Sequence, residues 1–295
     1  GRSSAFVDNI WDVPTILDTN HLRLYAEFRG LPALGYRAYT MRPKATELRA
    51  ATTLVTGPTT MDNEFLRVEV NGNGTVNVLN KRTGKTYRNL NHFSDQGECG
   101  NAWNHRAPTN DRNYNSLGLS AKIAVCQSGP LVSTMVAELK FPVPRDYADG
   151  TGRSDVMVEL PLRVEYRIEK GSPCLGVTVD MDNDAKDHWL RANFPTGLGT
   201  DLTWADSHFD VVSRAIPLPD STGWVEPAEG THPLRTFVDM SDGQDGLAIL
   251  PKGIFEYEAF EDEQRTLALT LIRACRIKLA VSEEKQAELP DQGVQ

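Results

Sequence analysis

Between Phe65 and Tyr87 the chain reads FLRVEVNGNGTVNVLNKRTGKTY, with Leu66, Val68 and Val70 on one side of an alternation and Phe65, Arg67 and Glu69 on the other. Val76 and Val78 resume the alternation after Asn71-Gly72-Asn73-Gly74. Period two is the spacing of side chains on one face of a strand, and Asn-Gly supplies the positive φ of a tight turn, so the stretch predicts a β-hairpin. Arg82-Thr83-Gly84-Lys85 predicts a second turn before Tyr87. Similar strand-like runs are KIAVCQSGPLVSTMVAELKF, VMVELPLRVEYRIEKGSPCLGVTVDM, HFDVVSRAI, RTFVDMSDGQDGLAIL and RTLALTLIRAC. HLRLYAEFRGLPALGYRAYTMRP near the start is also strand-like, followed by the polar, Thr-rich connection KATELRAATTLVTGPTTMDN; only SEEKQAELP near the end suggests a helix.

Many strands of about six to ten residues, without intervening amphipathic helices, predict an all-β antiparallel sandwich rather than a parallel α/β sheet. The frequent turn signals, from 23 Gly and 17 Pro, agree. The expected organisation is a small β segment over 1–58, the large sandwich over 59–280 and a tail over 281–295. No repeat of fixed period is visible.

Composition narrows the partners more than the fold. With 31 basic and 40 acidic residues the 295-residue chain carries a formal charge of -9, which disfavours nucleic acid and anionic membrane. No apolar run approaches the roughly 20 residues of a membrane span, and GRSSAFVDNIWDVP lacks the apolar core of a signal peptide. Cys99, Cys126, Cys174 and Cys275 show no CxxC spacing, and four scattered thiols point to the cytoplasm.

The candidate chemistry is sparse. His208 and Asp210 are two positions apart and would share a face of a strand, as a metal-gripping pair does. Asp180, Asp182 and Asp184 open an EF-hand-like loop, but Ala185 stands where its glycine belongs and Arg191 where its bidentate glutamate belongs, which favours an acidic turn. Asn73-Gly74-Thr75 is formally a glycosylation acceptor that the hairpin already explains. NHFSDQGECGNAWNHRAPTND, over 91–111, crowds His92, Asp95, Glu98, Trp103, His105 and Asp111 into a non-periodic stretch. It predicts a loop, either facing a ligand or folded on itself as an Ω-loop.

Several stretches, in order, resemble the C-terminal β region of glycoside hydrolase family 38, the retaining α-mannosidases and mannosylglycerate hydrolases. They are LPALGYRAYTMRP, NEFLRVEVNGNGTVNVLNKRTGKTYRNLNHFSDQGECGNAWNH, RANFPTG, ADSHFDVVSR, HPLRTFVDMSDGQDGLAIL, EYEAF and RTLALTLIRA. The resemblance implies a large sandwich of the galactose mutarotase-like supersandwich kind, preceded by part of a small β domain. It also implies that zinc and the catalytic aspartate belong to an N-terminal barrel and helical region that this chain does not contain, so no catalytic or metal residue is assigned here. The family's His-x-Asp zinc pair is followed three residues later by tryptophan; Ser213 stands there, and His208 and Asp210 are expected to be plain strand residues. The expected partners are a mannoside and the catalytic barrel of the same protein, with the chain a portion of a larger enzyme. The expected substrate-binding residues are Arg214, Asp206, His105 and Trp103, Arg214 foremost because its planar fork bonds paired hydroxyls or a carboxylate. Two alternatives remain: a carbohydrate-binding module stacking sugars on Trp103 or Trp224, and a mutarotase-like enzyme working through His105 or His232 with a glutamate.

Overall fold

The computed structural model describes residues 2–7, 15–20, 24–42, 50–148, 152–225 and 227–278, and every regular element among them is a β-strand. All pairings between strands are antiparallel. The fold is thus the all-β antiparallel architecture that the alternation predicted.

The first hairpin forms as its pattern dictates. Leu66–Val70 buries Leu66, Val68 and Val70, leaves Arg67 and Glu69 exposed, and pairs with Val76–Asn80. At the turn, Gly74 holds φ +86, and an added Cβ would lie 3.3 Å from the Ala121 side chain, so both conformation and space ask for glycine. Asn73 spends its amide N–H on the Leu117 carbonyl and its Oδ1 on Thr75, the work of a turn residue. With Thr60–Asp62 and Thr86–Leu90 the hairpin makes a four-stranded sheet.

A second four-stranded sheet is built on Val132–Pro144 and Met157–Glu169, paired over thirteen residues and flanked by Lys122–Gln127 and Gly176–Met181. Both sheets bury their apolar faces in one core, where Tyr166 is wholly buried but donates its hydroxyl to the Gly74 carbonyl at 2.6 Å. A third four-stranded sheet runs Val211–Ala215, Leu202–Asp206, Val238–Ser241 and Gly246–Ile249. Its inner residues Ala205, Val238 and Met240 form a second core.

A six-stranded sheet joins the two cores, in the order Thr231–Pro233, Glu256–Ala259, Thr266–Ala274, His188–Pro195, His92–Gly97 and Tyr114–Asn115. On its inner face Phe93, Leu190 and Ala192 enter the first core while Tyr257, Leu267 and Leu269 enter the second. Its other face is polar, which is what positions the site below.

Three local expectations are corrected. Residues 24–42 hold no strand: Leu24, Phe28, Leu31, Leu34, Tyr36 and Met41 are all exposed, so the apolar positions that suggested a strand have no sheet to bury them. This segment reaches the sandwich through Tyr25, under the Arg167 guanidinium, and Glu27, paired with Lys170 at 3.2 Å. Residues 92–97, expected in a loop, are a strand of the six-stranded sheet. Its inward Asp95 hid the alternation because a charge there is unexpected until its partners are seen. His208 and Asp210 lie in the turn between Leu202–Asp206 and Val211–Ala215, closed by a Ser207 N–H to Asp210 carbonyl bond of 2.8 Å, with Phe209 at φ +67. They are not strand residues. The helix expected over 282–290 lies outside the described residues. At the other boundary, Leu54 donates to the Gly129 carbonyl and Leu54 and Val55 pack on the first core, so contacts with the sandwich begin upstream of residue 59.

Candidate functional site

The polar face of the six-stranded sheet is set by register. Residues opposite each other in an antiparallel pair share a face, so Trp189 and Gln96, Trp189 and Arg273, and Arg191 and Thr270 point the same way, with Glu258 opposite Ala268 beside them. The loop after Gly97 brings Glu98 and His105 over this face.

These groups form a ring-like network of hydrogen bonds around the Trp189 indole. Arg191 donates to Glu258 at 2.5 Å and to the Gln96 Oε1 at 2.7 Å, its guanidinium 4.4 Å from the Trp189 ring and 4.9 Å from Phe260. Since Gln96 accepts through Oε1, its amide N–H₂ faces His105 Nε2, 2.9 Å away, and that nitrogen accepts. The His105 proton is then on Nδ1, donated to Glu98 Oε2 at 2.7 Å. Glu98 Oε2 also accepts from Arg273 Nε, while Oε1 takes the backbone N–H groups of Gly100 and Arg106. Trp189 donates to Thr270, and Thr270 to Glu256. His105 stacks on Trp189 with ring centroids 4.4 Å apart. Burial pulls the Arg191 guanidinium below its ordinary pKa, Glu258 pulling back, and its Nε is buried without a hydrogen-bond partner.

Apart from the Arg191 Nε, a network this heavily bonded holds a surface rigid; it does not supply a free acid or base. Glu98 is fully buried and answers four donors. Both nitrogens of His105 are occupied. Beneath the ring, Asp95 pairs with Arg153 and lies 2.5 Å from His188 Nδ1, all three side chains nearly or wholly buried. His188 Nε2 meets the Asn183 Oδ1 at 3.0 Å. The acidic stretch around Asn183 therefore diverges: Asp180 pairs outward with Arg163, Asp182 and Asp184 are exposed, and Asp187 turns in to Arg276. No three His, Cys, Asp or Glu residues are grouped to hold a metal ion among the described residues, and the residues present do not fit zinc.

The four residues expected to bind substrate fall in two places. His105 and Trp103 sit on the loop over the polar face, His105 in the ring and Trp103 exposed at the tip. Asp206 and Arg214 belong to the third four-stranded sheet. Partial desolvation pushes the Asp206 pKa upward, but bonds from the Thr236 hydroxyl and from the backbone N–H groups of Thr236, Phe237 and Arg235 outweigh it and hold the carboxyl well below the usual range. Asp206 thus fastens the 235–237 turn. Arg214 is opposite Thr203 and so points inward, toward the sandwich edge where Thr203 bonds the Tyr257 hydroxyl and His232 stacks against Tyr257 at 5.9 Å. Burial, then the Arg214 charge, lowers the pKa of His232. Arg214 forms no ion pair among the described residues, and its Nη1 is buried without a hydrogen-bond partner. It is a half-buried cation with unspent donors, at the edge of two sheets.

Sequence reasoning missed Gln96, Trp189, Arg191, Glu256, Glu258 and Arg273. The signal was present: alternate charged and apolar residues in HWLRANF and EYEAF put polar groups on one face, but both stretches are short.

Comparison with known proteins bears on these surfaces. Residues 61–279 match the profile of the "Glycosyl hydrolases family 38 C-terminal domain". A provisionally named mannosylglycerate hydrolase of Halalkalibacterium halodurans is 32% identical over 261 residues, which is 82% of this chain and 28% of that protein. The solved structure of an alpha-mannosidase from Enterococcus faecalis V583 superposes with a TM-score of 0.72 at 27% identity, covering 77% of this chain and 27% of that one. A family 38 protein from Enterococcus faecalis gives 0.69 at 26% identity, covering 82% and 30%. The chain thus spans less than a third of the length of each of these relatives.

Proposed function

Since the chain belongs to glycoside hydrolase family 38, as its C-terminal domain, we propose that it serves an α-mannoside hydrolase by shaping one wall of the sugar groove, while zinc and the reacting carboxylates are supplied from outside residues 1–295. The observation that carries this reading is Arg214: a half-buried guanidinium with no carboxylate partner among the described residues and a buried N–H left unspent. An uncompensated buried donor is costly unless a ligand answers it, and a mannoside offers hydroxyls, or a carboxylate on an acidic aglycone, in the geometry the fork accepts. Among the described residues, Trp103 is the exposed aromatic on the loop over the polar face, suited to stacking on a sugar ring.

Retaining hydrolysis needs two accessible carboxyl groups about 5 to 5.5 Å apart. Glu98, Glu256 and Glu258 are instead committed to Arg273, Thr270 and Arg191, which is why the chemistry is placed elsewhere. The same commitment disfavours mutarotase-like proton transfer at His105. The catalytic portion of the same protein is the proposed partner, a mannoside the proposed substrate, and the cytoplasm the proposed location, on the strength of four cysteines scattered without a CxxC spacing. The test is direct: residues 1–295 alone, supplied with zinc, should release no nitrophenol from a nitrophenyl α-mannoside, whereas the same residues joined to a family 38 catalytic portion should. Turnover by the isolated chain would overturn the reading.

A further inference from the structure

The outer face of the third four-stranded sheet carries a second surface. It is separated from the polar face by the second core and the thickness of two sheets, because Ala205, Val238 and Met240 point inward to Tyr257, Leu267 and Leu269. The residues between them in sequence point out: Trp204 stands opposite Asp239 on one neighbouring strand and opposite Ser213 on the other. An open groove of about 470 Å³ runs over Trp204 and Asp239, walled by Val211, Phe237 and Leu250. Trp204 is 43% exposed, a large apolar area for a residue in the middle of a sheet. Burial raises the pKa of the Asp239 carboxyl, and its side chain makes no hydrogen bond or ion pair among the described residues.

We propose that this groove is a second carbohydrate-binding site, in which the Trp204 indole stacks on the apolar face of a neutral pyranose and Asp239 takes its hydroxyl groups. The pairing of an exposed flat ring with a carboxyl directly across on the next strand suits a sugar, which has an apolar face and a polar rim. It suits a dry protein interface badly. Covering Asp239 with apolar side chains would bury an unpaired carboxyl, which is unfavourable, whereas sugar hydroxyls would satisfy it. The site lies on the outer face of its sheet, whereas Arg214, opposite the buried Thr203, is on the inner face.

Titration of the chain with methyl α-D-mannopyranoside and methyl β-D-glucopyranoside, followed by tryptophan fluorescence and calorimetry, tests this. Saturable binding of at least one, with a Kd on the order of millimolar, is expected. Trp204→Ala should weaken it by about tenfold or more and abolish the fluorescence change, and Asp239→Ala should weaken it by several-fold, both with a cooperative unfolding transition retained because these side chains lie outside the core. Two results would overturn the proposal: no saturable binding of either glycoside, or binding with an unchanged affinity in Trp204→Ala. Preference for methylguanidinium over both glycosides would also overturn it, making the groove a seat for a cationic side chain.

Discussion

Asp95 is held between the Arg153 guanidinium and the His188 ring, with no water-exposed surface on any of the three side chains beyond a few per cent. Breaking such a buried group from one side leaves the remaining charges without compensation, so Asp95→Asn is expected to destabilise the fold by about 3 to 5 kcal/mol, read from urea unfolding midpoints. A loss under about 1 kcal/mol would mean that Arg153 finds another partner at little cost. His232 makes a different prediction. Its folded pKa is lowered by burial and by Arg214, so between the folded and unfolded values the unfolded chain binds more protons and stability rises with pH. Stability should therefore fall as pH drops through the ordinary histidine range, and His232→Gln should remove that part of the slope. An unchanged slope would place the titration elsewhere. Asp95, Glu98 and His105 could all be picked out in the sequence as a crowd of polar residues over 91–111; which of them turn inward could not, because that depends on Arg153, Arg273 and Trp189, between 58 and 175 residues away along the chain.

The loop after His92–Gly97 is pinned by two side chains, Glu98 foremost. Glu98 bonds the backbone of Gly100 and Arg106 and the ring of His105, and Asn101 bonds the N–H groups of Trp103 and Asn104. Glu98→Ala should free residues 99–106, giving faster hydrogen exchange there and cleavage by a protease, while the first hairpin stays protected. Equal exposure of both would show that Glu98 holds the whole sheet. Elements differ in how far they can be read from sequence for a physical reason. Leu66–Val70 and Met157–Glu169 bury one face against a core and expose the other, so alternation reveals them. His188–Pro195 is covered on both faces, by the core and by the polar ring, and its burial is nearly continuous. Residues 24–42 mislead in the opposite sense, carrying strand-like apolar residues with no sheet beside them.

At the scale of the molecule, the layers explain why one domain has two differently built surfaces. The six-stranded sheet turns its apolar face to both cores and a hydrogen-bonded polar network outward, and the third four-stranded sheet carries a groove with an exposed tryptophan. Far-UV circular dichroism should report mostly strand; helix near one third would contradict the fold. No helix of the described residues is long and apolar enough to cross a membrane. The membership in family 38 and the all-β fold were both legible from ordered short stretches, whereas the unpaired state of Arg214 needed coordinates. That arginine carries the claim that the domain takes part in the site rather than only supporting it. The measurement that tests the claim most directly is kcat/KM, alongside the unfolding midpoint, for Arg214→Ala in the enzyme that joins this domain to its catalytic portion. Loss of a charge-assisted bond to the sugar predicts a fall of about ten- to a hundredfold, on the order of 1.5 to 3 kcal/mol, with little change in stability. Unchanged kcat/KM, with or without a lower midpoint, would contradict it.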